Sequence, residues 1–258
     1  MPSPATTRSR PERLTRPQKA AESIKQWVMD NGWQPGDRLP TEAELIDRFS
    51  MAKGTVREAI RILEAQGLVK SRTGPGGGVF IHQVSDERAM ALLANYFYFQ
   101  QLSIDDIYQI RESLEPELAA SLAGKLTDEQ LSSLEAVMMR YEKPPRTIEE
   151  EREHHVASLR FHALLAEMSG NALLRFLIRF TANMLADITV SRRLYVKTNQ
   201  KLWASGSEYQ SRLIKALRKG DARAARSTLL AHMRIAHELM VLKEADVTQR
   251  FLPEVDII

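Results

Sequence analysis

The chain contains no cysteine. That absence removes disulfide staples, thiolate zinc sites and cysteine nucleophiles together, and it fits a reducing compartment. No apolar run approaches the roughly 18 residues that a membrane span needs. The first twenty residues carry five Lys or Arg and four Pro but no apolar stretch, so they lack the core of a secretory signal. There is no His-Glu-x-x-His, no Gly-x-Ser-x-Gly and no glycine loop closed by Lys-Ser/Thr, the signatures of metalloproteases, serine hydrolases and nucleotide binders. These gaps lead us to expect a cytoplasmic protein that is not an enzyme and has no membrane partner.

What is present is ordinary globular material: 258 residues, 43% hydrophobic and 27% charged, enough for two cores. The net charge of +3 hides an asymmetry. Residues 1–85 hold 13 basic and 9 acidic side chains, and residues 86–258 hold 23 and 24. A positive excess in the first third suits a small nucleic-acid-binding module beside a near-neutral partner, although four charges on 85 residues also serve solubility.

Residues 1–16 are polar and rich in Pro and Arg, and read as a flexible basic leader that can act as an arm touching phosphate. A helical period starts near Pro17, with Ala21, Ile24, Trp27 and Val28 on one face, and stops at Asn31-Gly32. Thr41 and Glu44 form a capping-box pattern that opens a second helix through Phe49. A third helix runs from about Lys53 to Gln66, with Val56, Ile60 and Leu63 as its buried stripe and Lys53, Gly54, Arg57 and Arg61 away from it. Two short strand patterns, 68–72 and 79–82, flank a glycine-rich turn from Thr73 to Gly78 and read as a hairpin. After Ser85 the period is helical throughout: about 86–101, 104–124, 128–142, 148–168, 171–198, 207–219 and 222–244. The expected fold is mainly α: a winged helix-turn-helix at 17–84, an all-helical antiparallel bundle at 85–245 and a tail at 246–258.

A short capped helix, a tight break and a second helix with exposed basic residues near its start is the arrangement that places side chains at base edges in the major groove. Three separated motifs carry a resemblance: Gly36-Asp37-Arg38-Leu39-Pro40-Thr41-Glu42-Ala43-Glu44-Leu45, then Thr55-Val56-Arg57-Glu58-Ala59-Ile60-Arg61-Ile62-Leu63-Glu64, then Gly67-Leu68-Val69. Residues 17–82 resemble the GntR family of bacterial transcription regulators. The resemblance implies double-stranded operator DNA as partner. It also implies a contacting set of Arg38, Thr41, Lys53, Gly54, Thr55, Arg57 and Arg61, with Thr73 and Gly74 at the wing tip. Arg57 stands at a base- or phosphate-contacting arginine of that family, and Ala43 stands where some members have a further arginine.

The helical remainder, about 88–243, resembles the FCD ligand-binding domain of the FadR subfamily. The residues behind this are Ile110-Arg111-Glu112-Ser113-Leu114-Glu115-Pro116, Arg160-Phe161-His162, Ser169-Gly170-Asn171, Gly220-Asp221-Ala222 and His232. Many such domains hold a divalent metal, Zn, Ni or Mn, on one Asp and three His. Here His162 and His232 stand at two of those positions, while Ser158 and Gln210 stand at the others. The alternatives for His162 and His232 are half of a metal site or a pair of hydrogen-bonded pocket histidines. In the second case they bind a small carboxylate effector directly, with Arg111 and Arg192 supplying positive charge. His154 and His155, at an acidic helix start, read as solvated. The Arg111 and Glu115 spacing reads as a surface or structural ion pair.

The combined expectation is a homodimeric DNA-binding regulator, a repressor by default, tuned by a small organic-acid or sugar-acid effector. An architectural DNA-binding protein with a purely dimerising helical domain, and a metal-dependent enzyme, are the alternatives.

Overall fold

The computed structural model of the chain describes residues 13–100, 102–191, 194, 198 and 200–251. Among them are ten helices and one two-stranded sheet, in two compact units that divide between Ala89 and Met90. Most of the leader and the last seven residues lie outside the described residues, as does Arg192.

In the first unit, α1 (Arg16–Asp30) opens on Thr15, whose side chain and that of Gln18 cap each other's backbone. α2 (Glu42–Phe49) opens on the Thr41–Glu44 box and ends at Ser50, whose φ of 50° turns the chain sharply into α3 (Lys53–Ala65). The hairpin follows as β1 (Val69–Arg72) and β2 (Gly78–Ile81), antiparallel, with Lys70 opposite Phe80. Arg38 adds a bridge to Phe80 on the other side, which ties the segment before α2 to the wing. Ile24, Val28, Leu39, Leu45, Val56, Ala59, Leu63, Val69 and Ile81 form the core. In α3 the fully buried positions are Val56, Ala59 and Leu63, with Ile60 only half-buried. The stripe is therefore rotated slightly from the expected one, toward the small Ala59.

Gly67 must be glycine twice over. Its φ is +79°, and an added Cβ would lie 2.3 Å from Val84 Cγ2.

The second unit comprises α4 (Asp86–Tyr98), α5 (Ile104–Leu122), α6 (Asp128–Met139), α7 (Ile148–Glu167), α8 (Ala172–Ser191), α9 (Gln200–Lys219) and α10 (Ala222–Phe251). α10 packs along α5 and α9, α7 lies against α8 and α6, and α5 also meets α8. Ser103 with Asp106 and Thr127 with Gln130 form capping boxes at α5 and α6, and Asn171 caps the backbone N–H of Leu174. Leu118, Leu134, Phe161, Leu165, Ile178, Leu213, Leu229 and Met233 fill one core cluster, and Ile104, Tyr108, Phe180, Leu185 and Met240 a second.

Several helices depart from the expected bounds. α8 ends at Ser191 and not at 198, and α4 and α6 stop at Tyr98 and Met139, short of the expected 101 and 142. α9 begins at Gln200, not 207, because Gly206 sits inside the helix; an interior glycine costs only about 1 kcal/mol relative to alanine, and packing outweighs it. α10 continues to Phe251, past 244, because no Gly or Pro interrupts the chain before Pro253.

Candidate functional site

On the first unit, α3 presents Lys53, Gly54, Arg57 and Arg61 to solvent, with Thr55 half-buried beside them. Arg57 donates from Nε to Glu42 Oε2 at 2.8 Å, and Lys53 Nζ lies 3.7 Å from Glu42 Oε1. The bond from Arg57, with the nearby charges, holds the Glu42 carboxyl below its ordinary pKa. Glu42 thus tethers two basic side chains at the start of α3, a role that its position in an ordinary capping sequence did not reveal. Arg61 pairs with Glu58 one turn back, at 3.2 Å. The Thr41 hydroxyl is engaged with Glu44 at 2.7 Å, so it caps α2 in the free chain. Arg38 donates from Nη2 to the Gly77 carbonyl at 2.7 Å and so braces the wing. Thr73 and Gly74 lie exposed at the hairpin turn, and nothing lies within 4 Å of where a Cβ on Gly74 would be.

In the second unit, α5, α7, α9 and α10 enclose a cavity bordered by Arg111, Ser158, His162 and His232. Arg111 Nε donates to Glu115 Oε1 at 2.6 Å, one turn on. His162 Nδ1 lies 2.6 Å from the other Glu115 oxygen. Burial pushes the Glu115 carboxyl upward, but the charges of Arg111 and His162 and their hydrogen bonds outweigh it and hold it at about 2. Its carboxylate form is therefore secure. The His162 and His232 rings stack with centroids 5.4 Å apart. His232 is pushed down to about 3, first by burial and then by the neighbouring His162 and Arg111, so it is neutral.

Gln210 donates from Nε2 to Ser158 Oγ at 3.1 Å and accepts from the Tyr141 hydroxyl. The four residues that the sequence placed together, Ser158, His162, Gln210 and His232, do converge. They do not fit the metal that the resemblance implies. Serine and glutamine are weak ligands for Zn, Ni or Mn, and here their side chains are bonded to each other. Among the described residues no three His, Cys, Asp or Glu side chains are placed to hold an ion.

His154 and His155 correct an expectation. Both border the cavity and are half-buried, because the α7 face that carries them turns inward after its acidic first turn. Burial first, then the charges of Lys243, Arg111 and His162, push His155 down to about 3. Tyr108, Tyr141 and Trp203 also border the site. Trp203 Nε1 donates to the Tyr141 carbonyl at 2.7 Å, across a sequence gap with no local signal. Besides His162 Nδ1, which faces Glu115, three buried nitrogens of wall residues have no hydrogen-bond partner in the protein: Arg111 Nη2, His154 Nδ1 and His232 Nδ1.

Residues 17–81 match the family described as bacterial regulatory proteins, gntR family, and residues 106–235 match the FCD domain. The chain is 26% identical over 205 residues to the HTH-type transcriptional regulator LutR of Bacillus subtilis, covering 78% of this chain and 90% of that one. It is 26% identical over 221 residues to the HTH-type transcriptional repressor NanR of Cronobacter sakazakii, covering 82% and 80%. Among solved structures, Streptococcus agalactiae GntR superposes with a TM-score of 0.59 at 23% identity, over 86% of this chain and 99% of that one. That likeness establishes the fold.

Proposed function

The chain belongs to the gntR family of bacterial regulatory proteins, a DNA-binding transcriptional regulator with an FCD effector-binding domain, and from that premise we propose that it is a repressor released by a small carboxylate. The effector binds in the α5–α7–α9–α10 cavity without a metal. The observation that carries this reading is that Arg111 Nη2 and His232 Nδ1, both buried on the cavity wall, have no partner in the protein. A buried donor without a partner costs about 1–3 kcal/mol, and a carboxylate answers both at once through charge-assisted bonds. Glu115 holds the guanidinium by its Nε edge and leaves Nη2 for the ligand.

On the DNA side, Arg57 is the base- or phosphate-reading residue, supported by Lys53, Thr55 and Arg61, while Arg38 positions the wing. Releasing Arg57 from Glu42 is part of binding, because the carboxylate and a phosphate compete for the same guanidinium. A homodimer in the cytoplasm presents two such helices to a two-fold operator. Effector and DNA affinities are linked reciprocally, each lowering the other by a factor that corresponds to about 1–3 kcal/mol.

The test takes an operator selected from a random duplex library and titrates it with the full chain by fluorescence anisotropy, with and without saturating carboxylates. Operator affinity that falls in the presence of a carboxylate, and not of its amide, supports the reading. Affinity indifferent to every carboxylate that binds the protein overturns it.

A further inference from the structure

The kind of acid that this cavity takes can be read from the polar atoms around it, on the premise that it is a carboxylate site. On that reading the carboxylate is held by Arg111 Nη2 and His232 Nδ1, two buried wall nitrogens without a partner in the protein. Most other polar groups on the wall are committed. Arg111 Nε is given to Glu115, Trp203 Nε1 to the Tyr141 carbonyl, the Tyr141 hydroxyl to Gln210, and Glu151 is held by Lys243. Tyr108 is hydrogen-bonded to Arg111, His162 Nδ1 lies on Glu115, and His155 is engaged within the protein. The hydroxyl hydrogen of Ser158, whose oxygen already accepts from Gln210, is left, with Ser207 and the unpartnered Nδ1 of His154. The hydrocarbon of the wall comes from Leu159, Leu202, the Trp203 ring, Met233 and Ala236.

A polyhydroxylated acid would press a row of hydroxyls against this surface. Each one left unanswered costs about 1–3 kcal/mol, whereas each buried methylene gains about 0.8 kcal/mol. Size limits the ligand as well. The space open to the centres of water molecules is about 50 Å³. Each water needs about 10–15 Å³ by that measure, so the cavity holds about three to five waters, the bulk of a short acid.

We propose that the cavity is selective for a short-chain monocarboxylate with a compact apolar body, its carboxylate on Arg111 and His232 and its hydrocarbon against Leu159, Leu202, Trp203 and Met233. Sugar acids, which the sequence left open beside organic acids, are disfavoured by the wall.

Isothermal titration of the full chain with three probes tests this: isobutyrate, glycerate (similar in size but with two hydroxyls) and isobutyramide (similar in shape but uncharged). The expected result is isobutyrate binding at least tenfold tighter than either of the others. Glycerate binding as tightly as isobutyrate, with isobutyramide silent, overturns the apolar class and leaves the carboxylate site standing. Isobutyramide binding as tightly as isobutyrate overturns the carboxylate site itself. No binding by either acid overturns the proposal. Leu202→Asn, at a half-buried position, keeps the melting temperature near wild type and weakens isobutyrate at least fivefold; unchanged affinity overturns the placement of the hydrocarbon.

Discussion

Arg111 and Glu115 form an ion pair at 2.6 Å with side chains only 2% and 1% exposed, one turn apart on α5. The same spacing on a surface helix contributes a few tenths of a kcal/mol. Here both charges lie among helices, with Tyr108 under the guanidinium at 5.2 Å and His162 on the far carboxylate oxygen. Burial lowers the Arg111 pKa, but Glu115 and Tyr108 outweigh it, and the group stays charged. The pair is therefore a structural element that also fixes a guanidinium on the cavity wall.

Removing one partner strands the other. Glu115→Ala leaves the Arg111 charge buried without its counter-ion, and the expected loss is about 3–5 kcal/mol. Urea denaturation of variant and wild type at neutral pH measures it; a loss below about 1 kcal/mol would mean that water reaches the guanidinium.

Acid should weaken the second unit in a defined window. His232 and His155 have folded pKa values near 3 against an ordinary 6.5, so between those values the unfolded chain binds more protons. Stability is then full above about pH 6.5 and falls as pH drops toward 3. Glu115, at about 2 against 4.5, adds its own loss below pH 4.5. Melting temperature followed from pH 8 to pH 4 should decline from near 6.5, and less steeply in His232→Gln. A curve flat to pH 5 contradicts the neutral buried histidines.

Arg57→Ala should abolish specific operator binding in a gel-shift titration while leaving stability within about 0.5 kcal/mol, since its side chain is 58% exposed. Glu42→Gln removes the competing carboxylate and should strengthen duplex binding severalfold at low salt. Weaker binding by that variant would show that the tether orients Arg57 for DNA.

Gly67→Ala combines a left-handed backbone with a Cβ that meets Val84 Cγ2 at 2.3 Å. The expected destabilisation exceeds about 1 kcal/mol. Thermal denaturation checks it, and a variant with wild-type stability would show that Val84 yields easily.

The first unit was legible because its signals are local. A Thr41–Glu44 box, an apolar stripe on α3 and a glycine-rich turn each declare themselves within a few residues. Glu42 escaped notice because its partner Arg57 is fifteen residues away on another helix. In the second unit the helices were legible from their caps, and the family resemblance brought Ser158, His162, Gln210 and His232 to one place. The composition of the wall was not legible. Tyr141 and Trp203 reach it from sites 62 residues apart in sequence, joined by a single hydrogen bond. His154 and His155 were misjudged because three glutamates in the first turn of α7 suggest a solvated end, whereas one of them, Glu151, is itself buried on the cavity wall one turn before His155.

α10 spans 30 residues, about 45 Å of helix, and His232 lies roughly a third of the way along it. From His232 to Phe251 the lever arm is about 28 Å. If α10 moves as a rod, a tilt of about 5° around the cavity carries its far end about 2.5 Å, by the same rise per residue. A small displacement at the cavity is thus amplified along the helix, with the cavity wall at His232 serving as the fulcrum.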